Sequence, residues 1–373
     1  MICAHSFLGA ASAYLGGIIR IGIAANKPII NIHLKKGKNN MKKARSILSM
    51  IMAIAGFAAC GSTSAVVSDT SASSETKVNE TEAATTAETN AETNAETSSS
   101  EKSYFEWASK TIAESEYAET AVEPYGTFEY KSYYSNTAER ETGVNILLPP
   151  DYSEDKEYPV LYILHGFWDT EEWMARDIVG IPRMLTELYL EGKAEEMIVV
   201  LPYIFTSKEM PRCTGMDLEN SLAYDNFIND LSTDLMPFIE ENYSVKKGRE
   251  NTAITGFSMG GRESLFIGFT RPDLFSYVGA VCPAPGLVEI PGSPMHPGQI
   301  EESELSVTEG SEPRLVYITY SDSDGVVADS PASYCKLLEG NGVEHTVKVL
   351  HGTGHDHTSV KPHLYDLFQV IFK

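Results

Sequence analysis

The sequence predicts an α/β fold in which a mostly parallel central sheet of about eight strands is flanked by helices. Over residues 103–373, short apolar runs alternate with longer amphipathic segments, which is the pattern of βαβ units. With 42% hydrophobic residues, the chain can bury a sizeable core. The first two predicted strands have no helix between them, so we expect them to form an antiparallel lead-in.

Each predicted element follows from an apolar run or an amphipathic period. Strands are expected at 126–134, 142–148, 158–165, 197–203, 251–257, 277–283, 315–320 and 344–351. Helices are expected at 181–191, 221–242, 259–269, 330–339 and 362–372. In the last helix, Leu364, Leu367, Phe368 and Ile371 form one apolar stripe, and Pro362 stands near the start.

Residues 41–60 have the form of an export signal. The basic stretch 41–45 is followed by an apolar run and by small residues before Cys60. The run is too short for a transmembrane span and leads into a polar tract. It resembles a bacterial lipoprotein signal, in which the cysteine receives a diacylglycerol group. We therefore expect Cys60 to anchor the protein on the extracellular face of a bacterial membrane, the alternative being an ordinary cysteine beside an ordinary signal.

The segments on either side of this signal are not expected to belong to the fold. Residues 1–40 precede a complete signal, so we expect translation to begin at Met41 and treat the apolar stretch from Phe7 to Ile23 as non-structural. Residues 61–102 contain no Phe, Trp, Tyr, Leu or Ile, and they include a tandem Ala-Glu-Thr-Asn repeat. This composition predicts a disordered spacer, which leaves 103–373 as one folded domain.

The charge of the chain restricts its partners. It carries 52 Asp and Glu against 29 Lys and Arg, and every acidic residue lies beyond residue 60. Such a surface repels phosphate backbones, so we expect no nucleic acid and a neutral substrate. The five cysteines show neither a metal-ligand spacing nor a disulfide framework. The cysteines thus indicate no metal site, and the serine chemistry described below needs neither a metal nor an organic cofactor.

A glycine-rich motif, Gly256-Phe257-Ser258-Met259-Gly260-Gly261, lies between a predicted strand and a predicted helix. This is the context that the G-x-S-x-G nucleophile elbow requires, because the turn is too sharp for side chains at the glycine positions. Ser258 is therefore the candidate nucleophile, the alternative being a small residue in a tight turn. The amide of Met259, at the helix N-terminus, is a candidate donor to an oxyanion.

A nucleophilic serine needs a base and an acid that orients it, and two later loops offer them. Residues 321–325 (SDSDG) follow one predicted strand and supply Asp322 and Asp324. Residues 352–357 (GTGHDH) follow the next strand and supply His355, the candidate base. The order Ser, Asp, His along the chain is that of the α/β hydrolases.

The segment after the strand at 158–165 is predicted to complete the site. The amide of Phe167 is the candidate second oxyanion donor, and His165 is expected to fix the loop by hydrogen bonds. Trp168 and Trp173 follow, and they are either walls of an acyl pocket or aromatics of the core or a lid. The irregular stretch 203–220 is expected to be a substrate-side loop.

Together these motifs resemble the esterase D-like family of α/β hydrolases, and within it carbohydrate esterase family 1, the feruloyl and acetyl xylan esterases. The residues that carry the resemblance are YPVLYILHGF (158–167), GFSMGG (256–261), the acid loop and GTGHDHTSVKPHLY (352–365). The resemblance covers nearly all of 125–373 and implies Ser258 as nucleophile and His355 as base and then acid. It implies an aspartate after the strand at 315–320 as the orienting acid. Asp324 is favoured because the family's continuation follows it, and Asp322 stays the alternative because the family's glycine at that strand end is absent.

Three functions are compatible with the sequence. The first is an exported esterase that removes feruloyl or acetyl groups from plant cell-wall polysaccharide such as xylan, or from its oligosaccharides. The second is another esterase of the superfamily, such as a siderophore-ester hydrolase or a general carboxylesterase. The third is a tethered binding lipoprotein without turnover. We favour them in that order, since a binding protein needs no complete set of Ser, His and Asp.

Overall fold

The computed structural model describes residues 18–24, 27–33, 102–119, 122–124, 126–290 and 296–373. The signal at 41–60 with Cys60, and the spacer up to residue 101, lie outside the described residues. The lipidation, the spacer and the domain boundaries there therefore stay predictions. The chain divides into two compact units, Met1–Ala83 and Ala84–Lys373, which are described separately.

In the first unit, the described residues form an antiparallel hairpin. Strand β1 (Ile18–Ala24) pairs with strand β2 (Lys27–His33). The stretch from Phe7 to Ile23 is expected to be non-structural, but its described part, residues 18–23, lies in β1. Both strands are rich in isoleucine, whose branched side chain favours the extended backbone, and this preference accounts for the difference. The start of translation at Met41 is untested and stays a prediction.

The second unit is built on an eight-stranded sheet. Its strands are β3 (Glu129–Ser135), β4 (Arg140–Leu147), β5 (Val160–Leu164), β6 (Ile198–Pro202), β7 (Thr252–Gly256), β8 (Tyr277–Val281), β9 (Leu315–Ser321) and β10 (Thr346–Leu350). They lie in the order β10-β9-β8-β7-β5-β6-β4-β3. Strand β4 pairs antiparallel with β3 and β6, and the other pairs are parallel. The predicted sheet with its antiparallel lead-in is confirmed.

Helices cover both faces of this sheet. They are α1 (102–114), α2 (Glu171–Met174), α3 (Ile181–Leu190), α4 (Leu218–Asp225), α5 (Phe227–Asp230), α6 (Met236–Asn242), α7 (Met259–Thr270), α8 (Ser330–Gly340) and α9 (His357–Val370). Side chains of the strands from β4 to β9 alternate between two cores, so that Ile254 of β7 packs with Leu265 of α7 while Ala253 packs on the other face with Leu364 of α9. Within the described ranges, no helix is long and apolar enough to cross a membrane.

Four helical segments differ from the prediction. Helix α9 begins at His357, because the side chain of Asp356 accepts a hydrogen bond from the amide of Thr358 at 2.8 Å, and Pro362 therefore lies inside the helix. The single helix expected at 221–242 is divided into α4, α5, a π-helical turn and α6. Helices α1 and α2 were not predicted.

Helix α1 packs against the edge of the sheet where β8 to β10 begin. The hydroxyls of Ser109 and Thr346 lie 2.6 Å apart, and the Lys348 ammonium donates to the carbonyl of Ile112 at 3.1 Å. Near the start of the helix, the ring of Tyr104 lies edge-on to that of Tyr277, the first residue of β8. These contacts join the first described helix of this unit to the sheet.

A pair of aspartates lies where α5 passes into the π-helical turn Leu231–Leu235. Asp230 is fully buried and accepts a hydrogen bond from the Tyr133 hydroxyl at 2.5 Å. Asp234, one turn on, accepts from the side chain of Asn136 at 2.7 Å. Burial raises the pKa of Asp230 to about 6, and the nearby carboxylate of Asp234 acts in the same direction. The fold therefore favours the protonated form of Asp230.

We predict that Asp230→Asn stabilises the protein more at pH 8 than at pH 4. Because the pKa of Asp230 is higher in the folded state, its contribution to stability is complete below its unfolded pKa, near 3.9, and is lost as the pH rises through about 6. Asparagine does not ionise, so the variant should gain about 2 to 3 kcal/mol over wild type between these pH values. Urea unfolding measures the change, with the exposed Asp155→Asn as control. The same difference at both pH values would contradict the prediction.

Candidate active site

Ser258 stands at the turn between β7 and α7. Its backbone has φ 57° and ψ −112°, which is a strained conformation for a residue with a side chain. The surrounding main chain holds it there. The Ser258 amide donates to the carbonyl of Val281 at 3.0 Å, and the Ser258 carbonyl accepts from the amides of Arg262 at 3.0 Å and Ala284 at 2.9 Å. The serine hydroxyl is thus presented by a fixed backbone.

The glycines of the motif are required by close backbone contacts. A Cβ on Gly256 would lie 2.4 Å from the carbonyl oxygen of Gly260. A Cβ on Gly260 would lie 2.3 Å from the carbonyl oxygen of Leu164 and 2.6 Å from that of His165. The first contact closes the turn and the second presses α7 against the end of β5. No side chain fits at either position without displacing backbone.

His355 lies between Ser258 and Asp324. Its Nε2 is 2.9 Å from the Ser258 Oγ, and its Nδ1 is 2.6 Å from Oδ2 of Asp324. The other oxygen of Asp324 accepts from the amide of Val326 at 2.8 Å. Burial acts to raise the pKa of Asp324, but the hydrogen bond and charge of His355, with the Val326 amide, hold it below its usual value. The ionised aspartate fixes Nδ1–H, so Nε2 is free to accept the serine proton.

The two candidate acids are separated by the structure. Asp322 contacts His351, with its Oδ2 2.7 Å from Nδ1 of that histidine, and both side chains are largely exposed. The side chain of Asp324 is 1% exposed and contacts His355. The structure therefore brings Asp324, and not Asp322, together with Ser258 and His355.

Two backbone amides beside the serine have no acceptor. The amides of Phe167 and Met259 donate to no group among the residues that the structure describes. Met259 is the first residue of α7, and Phe167 follows β5, which neighbours β7 in the sheet. Free N–H groups at this position, one of them at a helix N-terminus, can hold a negatively charged oxygen.

His165 supports the loop that carries Phe167. Its Nε2 accepts from the amide of Ile204 at 3.1 Å, so Nδ1 carries the proton and donates to the carbonyl of Gly166 at 2.8 Å. Burial lowers the pKa of His165 to about 4, which keeps the ring neutral. Both ring nitrogens are occupied, and His165 therefore acts on the shape of the loop.

The two tryptophans occupy different environments. Trp168 is 52% exposed, and its amide donates to the hydroxyl of Tyr224 at 3.1 Å. Trp173 is partly buried and stacks on Phe257, with ring centroids 5.2 Å apart. Phe257 in turn lies 4.6 Å from the ring of His355. Trp173 is thus a core-packed aromatic next to the site, and Trp168 borders the surface, so their roles toward a substrate stay predictions.

Cys282 is a site neighbour that the sequence did not reveal. It follows β8 with φ 47°, and its sulfur lies within 4.8 Å of ligand atoms of Asp324 and His355. Cys, Asp and His are all metal-ligating residue types, but here Asp324 and His355 hydrogen-bond each other. Burial, with the charge of Asp324, raises the pKa of the Cys282 thiol to about 12. The thiol therefore stays protonated at neutral pH and is not a competing nucleophile.

The sequence analysis also did not predict a buried ion network in the first turns of α7. Arg262, 1% exposed, donates to Asp225 of α4 at 2.5 Å and to Glu263 at 2.8 Å. Asp225 also contacts the His296 ring at 2.6 Å and accepts from Gln299 at 3.0 Å. Adjacent Arg and Glu in a helix that is otherwise mostly apolar were the available signal. The network ties α7 to α4 and to residues 296–299, all at the carboxyl end of the sheet.

The fold and the hydrogen-bonded Ser, His and Asp define the α/β-hydrolase class of serine ester hydrolases. The family model described as "Putative esterase" matches residues 135–305. The structure of a CE1 ferulic acid esterase from Anaeromyces mucronatus, in complex with ferulic acid, is 40% identical, with a TM-score of 0.64. The match covers 69% of this chain and 94% of that one. The chain belongs to the family that this model describes as "Putative esterase".

Curated relatives are longer than this chain. An endo-1,4-beta-xylanase/feruloyl esterase of Xylanibacter ruminicola is 25% identical over 255 residues, which is 67% of this chain and 32% of that protein. The chain thus spans about a third of this relative's length. The feruloyl esterase module from Clostridium thermocellum, complexed with sinapinate, is 19% identical with a TM-score of 0.52 over 69% of this chain and 96% of that one, and it shares the fold.

We predict that Gly260→Ala destabilises the protein by about 1 to 3 kcal/mol or more, because the new methyl group must displace the end of β5. Urea unfolding measures this change. Gly340→Ala, at the end of α8, is the matched control, since a Cβ there meets nothing within 4 Å. Equal midpoints for the two variants would show that the turn tolerates a side chain.

Proposed function

We propose that the protein is an exported, lipid-anchored serine carboxylic-ester hydrolase that removes feruloyl or acetyl groups from plant cell-wall polysaccharide such as xylan. The main support is the chain of hydrogen bonds from Asp324 through His355 to Ser258 at a strained turn. The likeness to the ferulic acid esterase of Anaeromyces mucronatus supports the feruloyl substrate. The signal ending at Cys60 supports export and anchoring.

In the proposed first half-reaction, the Ser258 Oγ attacks the ester carbonyl while Nε2 of His355 takes its proton. Asp324 holds the imidazole in the tautomer that accepts this proton and stabilises the imidazolium that forms. His355 then gives the proton to the departing alcohol, which leaves an acyl group on Ser258. Water, deprotonated by His355, releases the acid by the same steps.

The amides of Phe167 and Met259 are proposed to bind the oxygen that becomes negative during both steps. Removing one such donor from a serine hydrolase costs about 2.7 to 4 kcal/mol of barrier stabilisation. Their main chains are fixed, one by the His165 hydrogen bonds and the other by the start of α7. The donors are therefore oriented before the substrate arrives, which avoids a reorganisation cost during the reaction.

The acyl group is proposed to contact the aromatic side chains next to His355. Trp173 and Phe257 stack there, and the exposed Trp168 lies beside Phe167. Aromatic rings bind a planar aromatic acid well, because both partners bury large flat surfaces. An excess of acidic residues over the chain favours a neutral ester over an anionic one.

The proposed substrate is tested by expressing residues 103–373 and the full chain and comparing four esters. We expect turnover of methyl ferulate or acetylated xylan, loss of this turnover in Ser258→Ala, and little turnover of a cyclic triester siderophore. Hydrolysis of only a short 4-nitrophenyl ester would contradict the polysaccharide substrate. The absence of any hydrolysis would favour a binding protein.

We predict that Asp324→Asn lowers kcat by about 10³ to 10⁴-fold, because an amide no longer favours the proton on Nδ1 of His355. Asp322→Asn is the matched control, since Asp322 contacts the exposed His351. Its kcat should stay within about twofold of wild type. The measurement is steady-state hydrolysis of methyl ferulate, and full activity of Asp324→Asn would refute the assigned role.

A further inference from the structure

We propose that a cleft beside the loop after β5 that carries Phe167, here called the oxyanion loop, binds the neutral glycan to which the ester is attached. Two exposed tyrosines of the edge strand β3 extend this cleft. The cleft has a volume of about 210 Å³, and its lining includes Glu141, Thr170, Glu171 and Tyr203. This inference rests on the proposed ester-hydrolase function and concerns the alcohol side of the substrate.

The cleft lies at the carboxyl ends of the parallel strands, as Ser258 does. Tyr203 follows β6, and its amide donates to the carbonyl of Gly143 in β4 at 3.1 Å. Strands β5 and β6 lie next to β7 in that order. Neighbouring strands are about 4.8 Å apart, so the cleft begins about 10 Å from the serine. That separation suits a sugar ring next to the esterified one.

The cleft is connected to the proposed oxyanion loop through its own lining. The ring of Tyr203 stacks on that of His165, with centroids 5.5 Å apart, and His165 holds the carbonyl of Gly166. Thr170 and Glu171 follow the same loop in sequence. A ligand that fills the cleft therefore contacts the elements that position the Phe167 amide.

The chemistry of the lining suits hydroxyl groups and disfavours anions. Glu141 and Glu171 offer carboxylate acceptors, and Thr170 and Tyr203 offer hydroxyls. The one arginine in the lining, Arg140, donates from its three nitrogens to backbone carbonyls, including those of Ala138 and Met210. Its hydrogen-bonding capacity is thus largely used to hold the wall. A neutral polyol matches this surface better than a phosphate or a uronic acid.

Two exposed tyrosines continue the cleft along the edge of the sheet. Tyr130 and Tyr134 of β3 are 59% and 54% exposed. They are four residues apart on one face of the strand, which corresponds to about 13 Å. Tyr134 stands opposite Glu141, a lining residue, so the two share that face. Large exposed aromatic rings in a row mark a binding surface, and their flat faces suit the C–H faces of sugar rings.

Gly143 joins the two parts of this surface. A Cβ there would lie 2.6 Å from Oε1 of Glu171 and 2.7 Å from the hydroxyl oxygen of Tyr130. The missing side chain therefore lets a carboxylate of the cleft and a tyrosine of the edge strand approach the same point. Cleft and tyrosines form one continuous polar and aromatic groove.

The test compares a feruloylated arabinoxylan oligosaccharide with methyl ferulate, which has no glycan. We expect Tyr134→Ala and Glu141→Gln each to lower the ratio of kcat/KM for the oligosaccharide over methyl ferulate by about tenfold, which corresponds to about 1.4 kcal/mol. Tyr189→Ala, an exposed tyrosine of α3, is the matched control and should leave this ratio unchanged. Both test residues are exposed, so the variants are expected to fold.

An unchanged ratio in both variants would overturn the proposal, and so would an equal loss on the two substrates, which indicates a structural effect. If wild type hydrolyses neither ester, the proposed function fails separately. Binding of unesterified arabinoxylan oligosaccharide to the wild-type chain, measured by calorimetry, then decides the groove alone. Binding that Tyr134→Ala weakens supports it, and no binding to wild type overturns it.

Discussion

The close contact between Gly260 and the carbonyl oxygens of Leu164 and His165 is the constraint on which the rest of the site depends. It brings the first turn of α7 against the end of β5, and with Gly256 it forces Ser258 into its strained conformation. The same contact sets the free amide of Met259 beside the loop that carries Phe167. One backbone approach, possible only without side chains, thus places the proposed nucleophile and both proposed oxyanion donors.

The parallel sheet supplies the partners that this turn lacks. Strands β7, β9 and β10 end at one edge, so the loops after them bring Ser258, Asp324 and His355 together although they are far apart in sequence. Each partner is then fixed locally. Asp324 is held by amides of its own loop, and His355 precedes the capped start of α9. The sheet determines approximate position and the local hydrogen bonds determine orientation.

The sequence predicted every strand of this sheet, and for the central strands β5 to β9 the reason is that their apolar runs are buried. Boundaries that depend on one side chain were harder, as with Asp356, whose cap moves the start of α9. The helix expected at 221–242 is interrupted near Asp230 and Asp234. These aspartates accept hydrogen bonds from Tyr133 of β3 and from Asn136 in the turn after it, which are distant in sequence. The position of Cys282 and the cleft at Tyr203 arise from contacts between remote segments, which no local pattern encodes. The adjacent Arg262 and Glu263 were a local signal for the ion network, but its partner Asp225 lies far away in sequence.

The docking of α1 has a consequence for the two ends of the sheet. Tyr104 contacts Tyr277 at the start of β8, whereas Ser258 follows the opposite end of the adjacent strand β7. Helix α1 therefore docks at the pole opposite the serine. Helix α1 thus stabilises the sheet from the amino ends of β8 to β10, and the carboxyl ends of the strands are left to the loops that carry Ser258, Asp324 and His355.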